Sequence, residues 1–157
     1  MEIIETDTWI ANWLWGAPLI VLTVVVHVGC LGLFTLRLDR YLAHHKPRRR
    51  AFVWTFAVVI GVAVLGATVL HAFEGVLWAA AYRLLDAIPD KKLAMLYSIS
   101  AMTTFGHAAI YLKPNWQMLG ALESLNGVIL FGLTTAFLFA MIQRVWPAVG
   151  QGPKPHP

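Results

Sequence analysis

Three long apolar stretches and one short one divide the chain, with polar punctuation between them. Crossing the hydrocarbon core of a bilayer, about 30 Å thick, takes about 20 apolar residues. Residues 13–36, "WLWGAPLIVLTVVVHVGCLGLFTL", meet that length. A second run, "AFVWTFAVVIGVAVLGATVL", starts at Ala51 and reaches about His71. Beyond it, "HAFEGVLWAAAYRLLDAIPD" keeps helical spacing but mixes His71, Glu74, Tyr82, Arg83 and Asp86 into the apolar pattern. A helix held from Ala51 to about Leu85 is about 50 Å long at 1.5 Å per residue. Its second half is therefore expected to protrude, bend or lie in the interface as an amphipathic helix. Pro89 ends it, because proline cannot continue a helix interior and disfavours helix at Ile88. The short stretch, "KKLAMLYSISAMTTF", carries about 12 apolar-leaning residues, too few to cross and suited to a re-entrant element. The last long run spans Met118 to Val145, with Arg144 at its end.

The polar segments orient these spans. Arg37, Arg40, Lys46, Arg48, Arg49 and Arg50 crowd residues 37–50, between the first two runs. A nucleic-acid arm would also be basic. Between two spans, the segment reads as a cytoplasmic loop under the positive-inside rule. Residues 1–12 are then external, and residues 146–157 form a cytoplasmic tail whose Pro and Gly content predicts disorder. Trp9, Trp13 and Trp15 fit the outer interface. The acidic start, "MEIIETDT", lacks the positive n-region of a signal peptide, so the first run is expected to stay as a span. Composition agrees: of 157 residues 59% are hydrophobic and only 13% charged, against about a quarter charged in soluble domains. The single cysteine, Cys30, can form neither an internal disulfide nor a zinc cluster and reads as a small buried packing residue.

The polar-backbone loop after the short stretch is Thr103, Thr104, Phe105, Gly106, His107, Ala108. Non-helical backbone at membrane depth survives only when buried in protein or lining water. A span, a half-crossing helix, a Thr-Thr-x-Gly loop and a glycine-bearing span together resemble the pore domain of potassium channels. The likeness is greatest to small bacterial members of the two-transmembrane-pore superfamily, and covers about residues 51–145. "AMLYSISAMTTFG" is similar to a pore helix and filter entry, and "LNGVILFGLTTAFLFA" to an inner helix. The resemblance implies carbonyls of residues 103–108 lining an ion path. It puts Gly127 at a hinge position and Phe131, Gly132 and Thr135 at hinge or cavity positions. It also implies a homotetramer. The family pattern is Thr-Thr-x-Gly-Tyr-Gly-Asp; this chain has His107, Ala108 and Ala109 in the last three places. A positive φ at Ala108 would cost on the order of 1 kcal/mol relative to glycine. His107 is smaller than tyrosine and titrates near neutral pH when unperturbed. The departures predict weak potassium selectivity.

Other polar residues lie in or near the spans. Glu123, one turn before Asn126, is a buried anchor behind the loop or an ion-attracting group on one reading, and a hydrated interfacial carboxylate on the other. His71 and Glu74 share a helix face and read as a hydrogen-bonded structural pair, since two ligands are too few for a metal. His27 lies mid-span and reads as bonded to a neighbouring helix. Haem ligation needs two histidines at matching depth, and His71 is expected at the outer edge. Gly127 and Gly132 also suit close helix packing, and Thr134 and Thr135 either wet a cavity or bond back to their own helix. Neither a nucleophile–base set nor a cofactor site is expected. The sequence thus predicts an all-α membrane protein: three transmembrane helices plus a re-entrant pore helix and filter-like loop. The expected setting is a bacterial inner membrane, with the N-terminus outside. The expected partners are the lipid bilayer, monovalent cations and further copies of the chain, and not nucleic acid. The leading function is an ion channel; the alternative is a non-conducting scaffold with the same architecture.

Overall fold

The structure, a computed structural model, describes residues 6–44, 52–106 and 109–150. Four helices account for most of them: α1, Thr6–His44; α2, Phe52–Leu84; α3, Lys91–Met102; and α4, Gln117–Gly150, which follows a single 3-10 turn at Pro114–Trp116. Helices α1, α2 and α4 are long and apolar enough to cross a membrane. This is an all-helical, multi-pass membrane protein.

Its burial pattern is that of a chain solvated by lipid. Exposed side chains include Leu14, Val21, Val25, Val58, Val62, Leu65, Val69, Val128 and Phe139, and Cys30, expected to be buried, is exposed as well, on the outside of α1. The buried ones include Asn12, Thr23, His27, Glu74, Ser98, Glu123, Asn126 and Thr134. Hydrocarbon offers polar groups no partner, so they turn inward and find each other. Along α2 the inward stripe reads Val59, Ala63, Ala67, His71, Glu74, Trp78, Tyr82, at helical spacing.

Among the described residues, three buried polar rungs join α1 to α4. The Leu119 N–H donates to Asn12 Oδ1 at 2.8 Å, Asn126 Nδ2 donates to Thr23 Oγ1 at 2.9 Å, and His27 Nε2 lies 3.0 Å from Thr134 Oγ1. The residue numbers rise together on both helices, so α1 and α4 run parallel. Asn12 also donates to the carbonyls of Thr8, at 2.6 Å, and Asn115, at 2.7 Å. It therefore caps the start of α4 from another helix. Asn12→Ala should cost about 2 kcal/mol, because it strands the buried Leu119 N–H and the Asn115 carbonyl. Unfolding midpoints in detergent should show the loss, and Asn12→Asp, which keeps the acceptor, should recover part of it.

The helix bounds differ from the sequence expectation in several places. α1 continues to His44, so Arg37 and Arg40 belong to the helix and not to a loop. Long basic side chains can remain helical and extend to the interface, and Arg144 Nη1 pairs with Asp39 at 2.9 Å across this end. α1 also begins at Thr6, within the segment expected to lie outside the span. α4 runs to Gly150, beyond Val145; the rest of the expected tail lies outside the described residues. α2 is one unbroken helix to Leu84. Of the polar residues after His71, Glu74 and Tyr82 are buried on the side packed against α3 and α4, while Arg83 and Asp86 are exposed.

Candidate functional site: a re-entrant loop and the polar groups behind it

α2 ends in a capping turn in which the Ala87 N–H donates to the Tyr82 carbonyl and Asp86 takes φ 52°. The Asp90 carboxylate then caps α3, accepting from Lys92 N and Leu93 N, both at 2.9 Å. At twelve residues α3 is about 18 Å long, half the depth of a span. Its C-terminus rests on Gly127, ten residues into α4 and so about 15 Å along it. The chain comes back to its starting level by Lys113, whose N–H donates to the Ala87 carbonyl at 3.4 Å and whose ammonium pairs with Asp86. Entry and exit are adjacent, so the segment dips in and returns on the same side.

Thr103–Gly106 form the bottom of that dip. The Phe105 N–H donates to the Ser100 carbonyl and Thr104 N–H to Ala101, both at 2.9 Å, which closes a second capping turn with Thr104 in the left-handed position at φ 56°. A β-branched residue is rarely found there. Gly106 follows at φ 73°. All four residues are exposed, with Phe105 at 83%. His107 and Ala108 lie outside the described residues, so the strain expected at Ala108 has no counterpart here. Within this loop the described left-handed residues are Thr104 and Gly106.

Gly127 lies directly against α3. A Cβ there would come within 2.7 Å of Met102 C and 2.8 Å of its Cα, and nearer still to its carbonyl oxygen. Close backbone approach accounts for this glycine. Gly132 meets nothing within 4 Å. Thr135 is exposed and donates to the Phe131 carbonyl of its own helix at 2.9 Å. Phe131 stacks on His71, ring centres 4.4 Å apart. With Thr68, Met102 and Thr103 they line a cleft of about 270 Å³.

Two polar clusters stand behind the loop. In the first, fully buried Glu123 accepts from Tyr82 Oη and lies against Ser98 Oγ, each at 2.5 Å. Ser98 Oγ is also 2.8 Å from the Gly75 carbonyl. Of the two readings for Glu123, the structure has the buried anchor: its carboxyl ties α4 to α2 and α3. In the second cluster, His27 Nδ1 is 2.8 Å from Glu74 Oε1, and the Nε2 atoms of His27 and His71 each lie 3.0 Å from Thr134 Oγ1. His71 Nδ1 and Glu74 Oε2 approach to 3.2 Å, within ion-pair range, but too poorly aligned for a hydrogen bond, so both atoms lack a hydrogen-bond partner.

This second cluster corrects the expected depth of His71. Its ring centre is 5.1 Å from that of mid-span His27, so the two histidines share a level. Counting about 20 residues from Ala51 put the membrane boundary too early, because α2 runs 33 residues without a break. The expected pair of His71 and Glu74 is a set of three, with Thr134 beneath both rings. Ser98 and Asn12 were not singled out from the sequence, and Tyr82 stood out only as one of the polar residues that follow His71. No protein-family model matches the chain, and no curated protein or solved structure matches it either.

Proposed function

We propose that the chain is one subunit of a membrane pore passing monovalent cations, with the Thr103–Gly106 backbone near the narrowest part. The observation that supports this reading most is exposed, non-helical backbone within the depth of α4. Lipid cannot solvate such backbone. It needs neighbouring protein or water, and further copies of the chain around a central axis supply both. The C-terminal end of α3 carries the negative end of its helix dipole to that level, which favours a cation. The resemblance to potassium-channel pore domains suggests four copies. On this reading His107, Ala108 and Ala109 replace the tyrosine, glycine and aspartate of the usual filter, so discrimination between potassium and sodium is weak. The basic end lies in the cytoplasm of a bacterial cell and the N-terminus outside.

Proteoliposomes loaded with potassium test the reading. Purified protein with the mass of four chains should release potassium and sodium at rates within about tenfold of each other, a gap of about 1.4 kcal/mol. Four-chain particles that pass neither ion would leave the scaffold function in place of the channel. A monomeric particle would remove the pore altogether.

A further inference from the structure

The cluster of His27, His71 and Glu74 plays no part in the proposed ion path, and its hydrogen bonding does not close. One ligand atom from each side chain lies within 4.8 Å of the other two. Thr134 Oγ1 faces an Nε2 of each imidazole at 3.0 Å. A hydroxyl has one hydrogen and two lone pairs. It donates to His27 and accepts from His71 when His27 carries its proton on Nδ1, toward Glu74 Oε1 at 2.8 Å, and His71 carries its own on Nε2. The bare His71 Nδ1 then faces the second carboxylate oxygen, Glu74 Oε2, at 3.2 Å, acceptor against acceptor. A cation between them would relieve that contact. His71 Nδ1 and Glu74 Oε2 are moreover buried without a hydrogen-bond partner. Glu74 itself is fully buried.

We propose that His27, His71 and Glu74 bind a single divalent transition-metal ion of the zinc and cobalt class, inside the membrane and behind the re-entrant loop. Two imidazole nitrogens and one carboxylate oxygen suit such an ion. Magnesium and calcium demand sets made of oxygen. The contact from each ring's far nitrogen to Thr134 is the kind that orients metal-binding histidines. Three protein ligands leave a coordination position for water or another small ligand. An approach exists: His71, 12% exposed, borders the cleft that Thr103 and Met102 also line. Bound there, the ion would clamp α1 to α2, since His27 comes from the first and the other two ligands from the second.

The test is a cobalt titration of tag-free, chelator-treated protein in detergent micelles, followed by visible absorption. The wild type should take up one Co2+ per chain, with the intense d–d bands of four- or five-coordinate cobalt. Zn2+ should displace it; Mg2+ and Ca2+ should not. His71→Gln and Glu74→Gln should each weaken uptake at least 100-fold, and Thr134→Val 10- to 100-fold. His44→Gln, at the far end of α1, should leave it unchanged. Circular dichroism shows which variants fold. If Glu74→Gln does not, the partly exposed His71→Gln carries the comparison. Folded wild type without saturable uptake overturns the site, and so does His71→Gln protein that binds as the wild type does. Neither result depends on ion flux, so the site and the pore can fail separately.

Discussion

Gly127→Ala should destabilise the protein by about 3 kcal/mol, near the upper end for overpacking, since the new methyl group meets backbone. Met102 C and Cα would lie 2.7 and 2.8 Å from it. A rotamer change cannot clear a main-chain atom, so α3 has to lift from α4. The unfolding midpoint in detergent should fall, and Thr103–Gly106 should become more open to protease. Gly132→Ala is the matched control, because nothing lies within 4 Å of that position. Alanine there should be neutral or up to about 1 kcal/mol stabilising, through helix propensity. Equal effects at the two positions would show that close approach is not what requires Gly127. A glycine serving as a hinge instead would change flux and leave stability alone.

Glu123→Ala should cost several kcal/mol, while Glu123→Gln should stay within about 1 kcal/mol of the wild type. Removing the carboxyl strands the buried Tyr82 hydroxyl, at about 1–3 kcal/mol, and leaves a cavity beside Ser98, which keeps only the Gly75 carbonyl. The glutamine expectation comes from counting hydrogens. Ser98 has one, but Oγ lies within bonding distance of two acceptor groups, the Gly75 carbonyl and Glu123 Oε1. The chain of bonds is complete when the Glu123 side chain supplies a donor to Ser98 and accepts from Tyr82. A carboxylic acid does both, and so does a carboxamide. Chemical unfolding in mixed micelles measures the two variants side by side. Glutamine as damaging as alanine would mean that the negative charge itself is required.

Much of the architecture was legible because lipid imposes simple length rules. Three runs long enough to cross and one too short gave the spans and the half-helix, and the Pro89–Asp90 pair fixed where α3 begins. Less legible were the places where a polar residue leaves the hydropathy pattern yet stays in the membrane. Glu74 and Tyr82 broke the apolar pattern past the expected end of a span, Glu123 stood between a buried and a hydrated reading, and all three are fully buried. Their partners lie on other helices, 41 residues away for Tyr82 and Glu123 and 47 for His27 and Glu74. No local spacing encodes such pairs; they follow from how three helices are set side by side. The role of α1 was illegible for the same reason. Its polar residues gain meaning only beside α4.

That pairing has a consequence for the order in which the protein is made. Chains leave the ribosome from the N-terminus, so α1 enters the bilayer before α4. Its rungs end on Leu119, Asn126 and Thr134, which follow about a hundred residues later. Until then Asn12 and His27 have no α4 to meet, and hydrocarbon is a poor place to wait. α1, inserted before its partner helix, is thus seated late, and its docking against α4 completes only after α4 has been threaded.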